Sequence, residues 1–125
     1  MQLNASLPAL PSEPGQFATC DGADLQLRGS LEEIVARVFD VQLDHLRLPT
    51  RGPARVAMAR QVTMYLGHVT CGLSLTEVGQ LFERDRTTVA HACQVVEDRR
   101  EDQDFDRAIE LLENISKILA FTPAR

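Results

Sequence analysis

The chain has no tryptophan, a single tyrosine and, among thirteen basic residues, a single lysine, Lys117. A lysine-rich polycation that coats any nucleic acid is therefore excluded, and so is a phosphate loop built on a Gly-rich turn and a Lys-Ser/Thr pair. Cysteine is sparse. Cys20, Cys71 and Cys93 are odd in number and form no CxxC pair, which argues against a disulfide framework. His68 with Cys71, or His91 with Cys93, would offer zinc two donors where four are wanted, and the second pair faces two ways on a helix. No metal and no cofactor are expected. Also missing are an apolar run of membrane-spanning length, the basic start and long apolar core of a secretory signal, and any Ser, His and Asp in a nucleophile-elbow context. The chain reads as neither an enzyme nor a membrane protein, and its expected place is the cytoplasm, on the nucleoid if it binds DNA.

The formal net charge is −5, which speaks against indiscriminate attraction to a polyanion, and its distribution says more than its sum. Residues 51–100 carry seven arginines against five acids, whereas the segments on either side are both acidic. Arginine forms planar, bidentate contacts, so the positive charge present leans toward specific recognition.

Residues 1–29 hold three prolines and three glycines with little periodicity, as a flexible leader would. Leu3, Leu7 and Leu10 are its one candidate partner-binding stretch. Ser30 and Glu33 have the spacing of a capping box and predict a helix carrying Leu31, Ile34, Val35 and Val38 on one face. Val41, Leu43 and Leu46 predict a short helical turn. A longer helix is expected from Ala54 to Val69, burying Val62, Tyr65, Leu66 and Val69. A second capping box, Ser74 and Glu77, opens a short helix with Val78, Leu81 and Phe82 inward and Gly79 where a neighbour must come close. After a turn near Glu83, Asp85 stands at the N-terminal end of another helix, with Val89, Ala92, Cys93 and Val96 at i, i+3, i+4 and i+7. That helix should end near Arg100, and Phe105, Ala108, Ile109, Leu112, Ile115 and Leu119 mark a last one. The acids Glu101, Asp102, Asp104 and Asp106 gather at its start, where they complement the helix dipole. The expected architecture is all-α: a leader over 1–29, a helical domain with a helix-turn-helix over 30–120, and a tail over 121–125.

In a helix-turn-helix the second helix enters the major groove by its first residues. There an Asp accepts from a cytosine amino group, an Arg forks onto guanine, and a Thr bonds a base edge or touches a thymine methyl. Asp85-Arg86-Thr87-Thr88 offers all three, at a helix N-terminus whose free amides suit a phosphate. Read blandly, Asp85 merely caps and Arg86 is merely solvated.

Three blocks in order, Ala59-Arg-Gln-Val-Thr-Met-Tyr-Leu66, Leu73-Ser-Leu-Thr-Glu-Val-Gly79 and Phe82-Glu-Arg-Asp-Arg-Thr-Thr-Val-Ala-His-Ala-Cys93, resemble the C-terminal DNA-binding domain of the bacterial replication initiator DnaA, a fold of the TrpR/DnaA C-terminal type. The resemblance spans roughly residues 30 to 120 and none of the initiator's ATPase, as though the domain stood alone. It implies that Asp85, Arg86 and Thr87 contact bases. It also implies that Thr88 lies close to the backbone, that Arg60 stands at the DNA, and that the loop Thr50–Arg55 sends Arg51 and Arg55 to the backbone or minor groove. Arg84 is expected at the backbone or minor groove too, and His91 either helps hold the recognition helix or lies near a phosphate. Arg86 departs from the family's usual His, and the Phe82–Arg84 connection is one residue short, lacking a glycine. The expected partner is double-stranded DNA carrying initiator-box-like sites, in the regulation of replication initiation or transcription. The alternative is an adaptor that keeps the fold but binds the initiator or another regulatory protein.

Overall fold

The computed structural model describes residues 22–48 and 52–121, and every regular element among them is helical. Most of the leader, Arg51 and the 122–125 end of the tail lie outside the described residues. Six α-helices follow in order: α1 (Gly22–Phe39), α2 (Leu43–Leu46), α3 (Ala54–Tyr65), α4 (Leu75–Phe82), α5 (Arg86–Arg99) and α6 (Gln103–Phe121). Helix α3 lies at the centre and has its most extensive packing with α5, while α1 and α6 close the core from the other side. Leu31, Val35, Ala59, Val62, Leu66, Val78, Val89, Val96, Ile109 and Leu112 are fully enclosed.

Helix α1 does not start at Ser30. Gly22–Gly29, read from sequence as the end of the leader, forms its first two turns. Asp24 in the first turn favours the helix dipole, Leu27 packs on the core, and Arg28 is drawn in to Glu32 at 3.0 Å and to the Leu81 carbonyl at 2.9 Å. Glu33 turns forward to Arg37 instead of back to Ser30. The capping-box spacing is present, but tertiary contacts extend the helix through it.

The Ala54–Val69 helix is also modified. From Leu66 to Thr70 the chain widens into a π-helical turn, in which Cys71 N donates to the Leu66 carbonyl. A wider turn shifts the register by about one residue. Gly67 is thereby buried, and Val69, expected inside, is 47% exposed. His68 donates Nδ1–H to the Leu73 carbonyl at 2.7 Å.

The Ser74 capping box forms as its spacing predicts: Glu77 N donates to Ser74 Oγ at 3.0 Å, and Ser74 N to Glu77 Oε1 at 2.8 Å. Helix α4 ends on Glu83, whose φ of 60° is left-handed, and Arg84 N returns to the Gly79 carbonyl at 2.8 Å. Helix α1 ends alike, on Asp40 with φ 55°. At both ends an acid occupies the conformation that glycine adopts without strain. Gly79 is needed because the turn crosses it: a Cβ there would lie 2.6 Å from the Arg84 carbonyl oxygen.

The far end of α5 is fixed by a polar cluster. Tyr65 donates to Glu97 at 2.8 Å, and Arg100 donates to Tyr65, Asp106 and Glu113 at 3.0, 2.5 and 2.9 Å. Burial disfavours the Arg100 charge, but these hydrogen bonds, that to Glu113 first, outweigh it and raise its pKa. Burial, then the bond to Glu97, pushes the Tyr65 hydroxyl up to about 12, against an opposing pull from Arg100.

Two measurements check these local arguments. Gly79→Ala should cost about 1–3 kcal/mol in urea unfolding because the backbone opposite cannot yield cheaply, while Glu83→Gly should gain roughly 0.5–1 kcal/mol by relieving the left-handed acid. As the chain's one tyrosine, with no tryptophan beside it, Tyr65 can be titrated by its phenolate absorbance. The midpoint should lie near about 12 in the native protein and near about 10 in denaturant. Because the native value is the higher, this contribution to stability is full below pH ~10 and is lost as pH rises toward ~12. Tyr65→Phe should remove that loss.

Candidate nucleic-acid interface

Helix α5 buries Val89, Ala92 and Val96, and that stripe settles which way its first turn faces. Asp85, Arg86, Thr87 and Thr88 are all exposed. Asp85 is the N-cap residue by position and backbone angle, yet its side chain makes no capping bond. Among the described residues none of these four side chains makes a hydrogen bond or an ion pair with the rest of the protein, so the polar groups at this end of the helix are directed to solvent.

The first turn of α5 divides two recesses. On one side, Thr87, Thr88 and His91 line an open groove of about 670 Å³ whose opposite wall is α3, with Met58, Arg60 and Gln61, and whose end is Arg84. On the other, Asp85 and Arg86 meet Thr76, Gln80 and Glu83 in a shallower recess of about 410 Å³. Of the residues singled out from sequence, Arg60, Arg84, Thr87, Thr88 and His91 are thus brought to one groove, and Asp85 and Arg86 form its ridge. Arg55 is not part of that set: its guanidinium donates to the Asp40 carbonyl at the end of α1, at 3.3 Å. Arg51 lies outside the described residues.

Arg60 and Arg84 are tethered. Arg60 Nε donates to the Leu46 carbonyl at 3.0 Å and Nη2 to that of His45 at 2.9 Å. Arg84 Nη1 donates to Glu83 O at 3.1 Å, and Nη2 reaches Leu48 O at 3.4 Å. Burial, then the neighbouring Arg84 charge, lowers the Arg60 pKa, without threatening a guanidinium charge at neutral pH. The groove therefore holds two fixed cations, two threonine hydroxyls and an imidazole, the set that suits a chain of phosphates.

Sequence reasoning passed over Gln61, Met58, Thr76 and Gln80 as lining residues. Met58 and Gln61 are one helical turn apart on α3 and line the same groove as Arg60. Thr76 and Gln80 required knowing how tightly the turn folds over Gly79. Cys93 behaves as a small half-buried side chain, its thiol pKa raised by burial and then by the charge of Glu97.

Residues 30–96 match the family described as the bacterial dnaA protein helix-turn-helix. The chromosomal replication initiator protein DnaA of Zymomonas mobilis subsp. mobilis is 41% identical over 106 residues, covering 77% of this chain and 22% of that protein. That of Bifidobacterium animalis subsp. lactis is 40% identical over 70 residues, covering 55% of this chain and 12% of the relative. The chain thus spans a small part of the curated relatives it matches. Among solved structures, a DNA replication initiation factor superposes with a TM-score of 0.67 at 29% identity, over 77% of this chain and 30% of that one. A replication initiator DnaA bound to AMPPCP and single-stranded DNA gives 0.66 at 28% identity, over 78% and 30%. The match to the family covers the helix-turn-helix and the groove beside it, and the chain belongs to the bacterial DnaA helix-turn-helix family.

Proposed function

We propose that the chain binds double-stranded DNA sequence-specifically, with the first turn of α5 in the major groove. The observation that carries this reading is the group of four exposed polar side chains from Asp85 to Thr88, unused by the fold and set at the N-terminus of a helix whose other end is locked. Asp85, Arg86 and Thr87 would contact bases. Arg60, Arg84, Thr88 and His91 would hold the backbone along the groove, and Arg51 and Arg55 would reach the backbone or the minor groove. Arg86, with its fixed charge and fork geometry, favours guanine at its position. Membership of an initiator family supports a role at initiator-box-like sites, where the chain would compete with, assist or time the full initiator at origins or promoters. Among the described residues no helix is long and apolar enough to cross a membrane; a place on the nucleoid follows only from the DNA-binding reading. An adaptor role draws support from one detail, the engagement of Arg55 by the Asp40 carbonyl, which leaves the basic loop weaker.

Selection from a randomised duplex library tests the reading. An initiator-like box should be enriched, and Arg86→Ala should relax one base pair in it, losing about 1–3 kcal/mol of discrimination there. With about four phosphates contacted, affinity for that box should fall roughly a hundredfold between 50 and 200 mM salt. If no sequence is enriched, specific readout is wrong and the adaptor reading takes its place.

A further inference from the structure

On the DNA-binding reading above, we infer that Glu32 is a positioning residue for the cationic wall of the groove, acting through α2 on Arg60 and Arg84. Glu32 is 2% exposed and belongs to α1, away from the first turn of α5. Its carboxylate takes Arg28 Nε at 3.0 Å on one oxygen, and Arg47 Nε and Nη2 at 2.8 and 2.6 Å on the other. A buried ion pair is seldom the cheapest way to fill space, since an apolar side chain of similar volume commonly stabilises as well or better. What the charge supplies here is a fixed place for Arg47.

Arg47 is the residue that ends α2, so anchoring it anchors the run from His45 to Leu48. That run provides the carbonyls that hold the groove's cations: His45 O and Leu46 O receive Arg60, and Leu48 O receives Arg84. A small crevice of about 10 Å³ lies behind them, with Arg28, Arg60 and Arg84 in its lining and Glu32 the one acid there among the described residues. Glu32 thus acts on both guanidinium groups through the α2 backbone that receives them.

The sign of the effect separates this role from simple electrostatics. Glu32→Gln removes a negative charge, so if net charge alone mattered the full chain would bind its selected duplex more tightly. Positioning demands the reverse: affinity about three- to tenfold weaker, with a salt dependence shallower by about one phosphate contact. In an Arg60→Ala/Arg84→Ala background the further effect of Glu32→Gln should shrink below about twofold, whereas a general loss of structure would multiply through unchanged. Thermal unfolding run in parallel keeps the comparison among folded proteins. Should Glu32→Gln not fold, Arg47→Met, at a half-exposed side chain, takes its place and is read by its shrinking effect in the Arg60→Ala/Arg84→Ala background and by Arg60 exchange, since loss of a cation weakens duplex binding on either account. A readout independent of DNA is hydrogen exchange of the Arg60 Nε–H in the free protein by NMR, slow in the wild type and faster in the variant. Unchanged exchange, or unchanged or tighter duplex binding, overturns the inference. Faster exchange in a protein whose wild type selects no duplex supports the positional link and overturns the DNA-binding reading instead.

Discussion

Burial of Val89, Ala92 and Val96 against α3 is the contact on which the rest depends. A helix that commits one stripe to the core has no freedom left about its own axis, so its remaining residues face where geometry sends them. In α5 that leaves Arg86, Thr87 and Thr88 outward at the start of the helix. The two ends of α5 are then secured differently. The start is held by backbone, through the turn that lies against Gly79 and the Arg84 N–H returning to its carbonyl. The end is held by side chains, through Arg100 and its bonds to Tyr65, Asp106 and Glu113. Backbone fixation at the start is what allows Asp85 to leave its capping role unfilled.

Arginine divides its labour across the molecule. Arg28, Arg47 and Arg100 pair with acids and serve the fold, while Arg60 and Arg84 are held by backbone carbonyls beside the groove. A carbonyl holds a guanidinium in place without neutralising it, which a carboxylate would do. Arg86 alone among the groove's arginines has no tether among the described residues, and so is the one able to adapt to what it meets.

What was legible in the sequence was what depends on near neighbours along the chain. The Ser74–Glu77 box is a closed exchange of two hydrogen bonds within one turn, and the spacing of Val89, Ala92 and Val96 fixes a face. The same Ser-to-Glu spacing at Ser30 misled, because Leu27 packs on the core and Arg28 caps the Leu81 carbonyl from far along the sequence. Val69 misled because a π-helical turn changes the period on which the expectation was built. Asp85 was found as an N-cap by type and position, but no sequence rule says that the side chain declines the bond. The carbonyl tethers of Arg60 and Arg84 had no signature at all, since every residue has a carbonyl and only the fold decides which one faces a given guanidinium.

The acids around the junction of α5 and α6, from Glu97 to Asp106, lie opposite the cations at the other end of α5, a separation of about 20 Å for a helix of this length. That is an electric dipole on a body of negative net charge. Near any polyanion, monopole repulsion and dipole torque act together, so an approach with the acid end forward is turned away while one with the groove forward meets attraction at short range. The molecule would therefore sort its encounters by orientation before any base or side chain is touched.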